Sequence, residues 1–144
     1  MTAVATALPT GIRATPAARA TIWIWGIYAL LQGVGICLGG IERWGSPSFR
    51  YIRELPGSPY SWGVPLAVAG LLILIGSATR RGRIRNPGLA ALMVWSISFG
   101  LGAGTATLTD ERASTTGGPV YFASALAVAV LIFIDERRPR ASKP

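Results

Sequence analysis

The chain has 144 residues, 51% of them hydrophobic and only 14% charged, where a soluble protein carries about a quarter, and this balance argues against a water-exposed globular domain. A formal charge of +8 would point to nucleic acid in a soluble domain; here the basic residues flank apolar segments, where Arg sets membrane orientation and meets anionic headgroups, so nucleic acid is not expected. Histidine is absent and Cys37 is the single cysteine, which removes the commonest general base, an intrachain disulfide and any cysteine-rich metal site.

Residues 1–20 are rich in Ala, Thr and Pro without a usable period, and are expected to form a flexible tail. The first apolar run, residues 21–41, holds 21 residues, or about 31 Å of helix, which matches a hydrocarbon core. A secretory signal peptide is the rival reading, but the run is too long for a signal core, and a retained anchor is preferred.

The connection that follows predicts a short interfacial helix over about 47–55. Ser46-Pro47 suits a helix start, Phe49, Ile52 and Leu55 recur at spacing three, and Pro56-Gly57 ends the turn. With Trp44, Tyr60 and Trp62 these three apolar residues form the expected interfacial anchor, since amphipathic rings favour the headgroup layer. An aromatic ligand cage is the less favoured reading of the same rings.

A second span is expected over 62–79, with Pro65 in its first turn. A third runs from about 88, after Pro87, to 108, before Asp110-Glu111-Arg112. The loop 109–118 is polar and glycine-rich, suited to reversing direction. The fourth span is shorter; beginning near Thr115 it reaches 134, and residues 135–144 form a basic tail.

Four crossings place Arg13, Arg19, Arg80, Arg81, Arg83, Arg85, Arg137, Arg138, Arg140 and Lys143 on one side, ten basic residues, and Arg43, Arg50, Arg53 and Arg112, four, on the other. The positive-inside rule then puts both termini in the cytoplasm. Arg80, Arg81, Arg83, Arg85, Arg137, Arg138 and Arg140 are the residues expected to set topology and touch lipid. The fold class is thus an all-α integral membrane protein, a compact bundle of four transmembrane helices over 21–134 with a short interfacial helix between spans one and two.

No predicted span contains Asp, Glu, Lys, Arg or His, although catalysis or ion coupling within a bilayer ordinarily requires such groups. An enzyme is not expected, nor a cofactor or metal. What recurs inside the spans is small residues at spacing four: Gly35 and Gly39; Ser96, Gly100 and Gly104; Ala123 and Ala127. These let helix backbones approach where lipid already solvates apolar groups. They are candidate helix-packing positions, either within one chain or between copies.

The segment from Leu55 to Gly63, Leu-Pro-Gly-Ser-Pro-Tyr-Ser-Trp-Gly, followed by an apolar span with Gly70 and Gly76 and an Arg-rich turn, resembles the small four-span membrane proteins encoded near the lysis genes of actinobacterial viruses. That resemblance implies a holin-like protein, which accumulates in the host inner membrane, assembles with copies of itself, and permeabilises or depolarises it. It transfers no catalytic residue. A non-lytic structural or regulatory membrane protein, binding another membrane protein through its outer loops or tail, is the first alternative; a small channel or exporter subunit is the second. Expected partners are membrane lipids, anionic headgroups above all, further copies of the chain, or another membrane protein.

Overall fold

The computed structural model describes residues 16–39, 46–54 and 56–136, with the side chains described up to residue 133. Trp44, Leu55, Arg137, Arg138 and Arg140 lie outside the described residues. All regular structure among the described residues is helical: α1 Pro16–Gly39, a 3-10 turn Pro47–Phe49 running into the short helix α2 Arg50–Arg53, then α3 Tyr60–Ala78, α4 Gly82–Thr109 and α5 Gly117–Glu136. By length and composition, α1, α3 and α4 are able to cross a membrane, and α5 carries a shorter apolar stretch, Gly117–Phe133.

Helix limits differ from the expected spans for local reasons. α1 starts at Pro16, five residues before Thr21, because proline is preset for a first helical position and Ala17, Ala18, Arg19 and Ala20 are good helix formers. Residues 16–20 are therefore helix, not tail. α4 starts at Gly82, so Arg83 and Arg85 occupy its first turns, where a longer basic loop was expected, and Pro87 lies inside the helix rather than before it.

The link from α3 to α4 can be this short because α3 ends in a Schellman motif. Arg81 N donates to Gly76 O (2.9 Å) and Arg80 N to Ser77 O (3.3 Å), while Arg80 takes φ 55° in the left-handed region. Glycine ordinarily occupies that position. Gly76 then lies so close to α4 that a methyl built on it would come within 2.7 Å of Arg85 Cα.

α1 packs on α3, α3 on α4, and α4 on α5, each antiparallel to the one before, and no comparable interface joins α1 to α5. Chain neighbours among the four long helices are the principal spatial neighbours, and all four contribute to one core. The N-terminal end of α1, the α3–α4 turn and the C-terminal end of α5 share one end of it, here termed the basic end. α1 accordingly buries one stripe, Ile22, Gly26, Ala29, Gly33 and Ile36, whereas α4, flanked on both sides, buries ten residues around much of its circumference.

The core of the opposite end is aromatic. Phe99, 2% exposed, stacks on Trp95 (4.5 Å between ring centres) and meets Tyr121 (4.8 Å), Phe49 (5.6 Å) and Trp62 (5.7 Å), edge-on or tilted. Trp95 Nε1 donates to the Trp62 carbonyl at 3.0 Å, so this ring is satisfied inside the protein.

Candidate functional site

In the α1–α3 seam the two backbones meet through glycines on both helices. A methyl built on Gly33 would come within 2.7 Å of the Gly63 carbonyl oxygen, and one on Gly63 within 2.8 Å of the Gly33 oxygen. A methyl on Gly70 would come within 2.8 Å of the Gly26 oxygen. The two backbones touch at two levels, in a geometry that allows Cα–H to approach carbonyl oxygen. Cys37 Sγ lies over Gly63, so the lone cysteine fills the end of this seam.

Of the small residues singled out from the sequence, Ser96 and Gly100 face the interior. Gly100 lies against α5, where an added methyl would sit 3.3 Å from Tyr121 Cβ and 3.5 Å from the Gly118 oxygen. Gly35 and Gly104 are open: an added methyl would meet nothing within 4 Å at either position. Ala123 is exposed and Ala127 half-buried, and the α5 residues in the core are Ala125, Val128 and Leu131. Gly39 closes α1 and is half-buried.

The pairs that make the intimate α1–α3 seam are thus not those expected. Gly26 and Gly33 are seven residues apart, as are Gly63 and Gly70, and antiparallel packing sets the first of one pair beside the second of the other. That matched separation on consecutive apolar segments was the available signal. Spacing four drew attention to Gly35 and Gly39, although Gly35 is on the outer surface.

The interfacial anchor is likewise turned inward in part. Segment 46–54 reaches across to α4, with Phe49 against Phe99 and Ile52 only 2% exposed; a methyl on Gly102 would be 2.8 Å from Ile52 Cγ1. Trp62 Nε1 donates to the Ile52 carbonyl (3.2 Å), and Tyr60 remains exposed. Phe49, Ile52 and Trp62 close this end of the bundle. Ser114 N donates to Ser48 Oγ (2.8 Å) and Tyr51 Oη to Thr109 Oγ1 (3.1 Å), joining the two connections at this end into one cap.

Hydroxyl groups along the helices donate to their own preceding turn: Ser77 to Ile73, Thr105 to Leu101, Thr107 to Ala103 and Ser124 to Val120, at 2.6–2.9 Å. The hydroxyls of Thr105 and Thr107 are thus satisfied within α4. At the basic end Arg80, Arg81 and Arg83 are exposed and Arg85 is buried, its Nη2 donating to Asn86 Oδ1 at 3.4 Å. No protein-family model, curated protein or solved structure matches this chain.

Proposed function

We propose that the chain is embedded in a bacterial cytoplasmic membrane by four helices, with its basic end in the cytoplasm, and acts there as a holin-like protein whose copies assemble and permeabilise the bilayer. The observation that carries the membrane placement is the inverted surface. Leu31, Leu38, Val68, Leu71, Leu101, Leu126 and Phe133 project outward, whereas much of the helix contact is glycine and alanine. Water would leave such a surface to aggregate; lipid solvates it and leaves close backbone packing as the attraction between helices. α5, the shortest apolar stretch, crosses with slight bilayer thinning.

Permeabilisation requires several copies, because one chain fills its own interior with Phe99, Trp95, Leu66, Leu92 and Val128. α1 and α5 each pack chiefly against one other long helix. Gly35 on α1 and Ala123 on α5 both lie on the outside, within about two turns of the same end. An α1-to-α5 contact between copies is head-to-tail, and such contacts propagate into rings or open chains.

Induced expression with a potential-sensitive dye tests this reading. An abrupt, timed depolarisation is expected, delayed or lost in Gly35→Leu and Ala123→Leu. High accumulation in the membrane with no loss of potential would overturn it. The hydrogen-bonded cap favours a second reading, a non-lytic protein that binds a partner through exposed Arg50, Arg53 and Glu111 and half-buried Asp110. In that case expression is harmless, and a partner cross-links through those residues.

A further inference from the structure

At the basic end, α1 and the α3–α4 turn enclose a cleft of about 520 Å³, inside the roughly 300–1,000 Å³ range of ligand sites. Three elements each contribute an arginine to its lining: Arg19 from α1, Arg80 from the turn and the buried Arg85 from α4. The described lining contains no carboxylate. Gly82, at the N-terminus of the 28-residue α4, also borders it, and the dipole of that helix favours an anion. One wall is apolar, formed by Ile22 and the partly exposed Trp23, where the hydrophobic surface of α1 begins.

Arg80 also has an unusual backbone conformation. It occupies the left-handed position that closes α3, where glycine is the favoured residue and any side chain carries a conformational cost.

We propose that this cleft binds the phosphodiester of an anionic phospholipid, held by Arg19, Arg80 and Arg85, with the acyl chains lying along Ile22 and Trp23. Guanidinium groups match phosphate oxygens in bidentate geometry, and the adjoining apolar wall distinguishes a lipid from a free anion. The proposal rests on the membrane placement above, which is tested separately by whether the full chain stays in a bilayer after alkaline extraction.

The test is native mass spectrometry of the full-length chain from phosphatidylcholine micelles, titrated with phosphatidylglycerol, cardiolipin or inorganic phosphate. Preferential retention of an anionic lipid is expected, weakened about tenfold by Arg19→Gln and by Arg80→Gly, and unchanged by Arg53→Gln at the opposite end. Arg80→Gly removes the guanidinium while relieving the backbone, so its loss of binding is not a folding defect. Equal retention of phosphatidylcholine overturns the proposal, as does equal weakening by Arg53→Gln. Inorganic phosphate binding as well as the lipid would assign the cleft to a free anion and overturn it too.

Discussion

Replacing Gly33 by alanine should loosen the α1–α3 seam, and the size of the effect follows from the geometry. The new methyl would sit 2.7 Å from the Gly63 oxygen and closer still to the Ala67 nitrogen, against 3.4 Å for ordinary contact, so the helices must part by at least about 0.7 Å. A gap of that size forfeits a quarter to a half of the dispersion well for each facing atom pair, and overpacking of this kind costs about 1–3 kcal/mol. Alanine returns up to about 1 kcal/mol through helix propensity, which leaves a net loss of about 1–2 kcal/mol. Gly35→Ala, two residues along, meets nothing within 4 Å and should be neutral or stabilising by up to about 1 kcal/mol. The assay is reversible unfolding of the purified chain in mixed micelles titrated with a denaturing detergent, followed by helicity and tryptophan fluorescence. Equal stability of the two variants would refute the claim that backbone contact at Gly33 holds the seam. Gly70→Ala should resemble Gly33→Ala, since its methyl meets the Gly26 oxygen at 2.8 Å.

Other outcomes follow from single contacts. Arg80→Gly should raise stability by about 1 kcal/mol in the same assay without anionic lipid, because glycine adopts φ 55° without a steric penalty. Ser48→Ala removes the acceptor of the Ser114 amide and should cost about 1 kcal/mol, seen as faster hydrogen exchange at Ser114 with little change in the α1–α3 seam. Trp95→Phe keeps an aromatic ring against Phe99 but loses the bond to the Trp62 carbonyl; a decrease of about 0.5–1.5 kcal/mol in unfolding free energy is expected.

The number and order of long helices were legible in the sequence because apolar runs bounded by Arg, Pro and acidic residues mark their own ends. The start of α4 was not. Arg83, Arg85 and Pro87 read as loop, yet the Schellman closure at Gly76–Arg81 turns the chain within three residues, and helix resumes at once. Which face of each helix is inward was harder still. In a water-soluble bundle polarity marks the outside; here α1 exposes Leu31 and Leu38 while burying Gly26 and Gly33, so hydrophobicity carries no directional signal. Gly35 was singled out from spacing alone, and spacing cannot tell an inner stripe from an outer one. The inward turn of Phe49 and Ile52 depends on a cavity beside Gly102 that only the folded α4 creates. The grouping of Arg19 with Arg80 and Arg85 likewise needs α1 laid antiparallel on α3.

Because each long helix rests chiefly on the one preceding it in the chain, synthesis order and assembly order coincide. As α3 leaves the ribosome its glycine-bearing face finds α1 already available, and the three-residue link delivers α4 directly onto α3; of the described segments, 46–54 is the one that waits for distant partners, on α4 and at Ser114. Loop-closure entropy is therefore small where α4 docks on α3 and α5 on α4. A nascent chain halted after Thr109 would already contain two of the three principal interfaces, so truncations from the C-terminus should lose them one at a time.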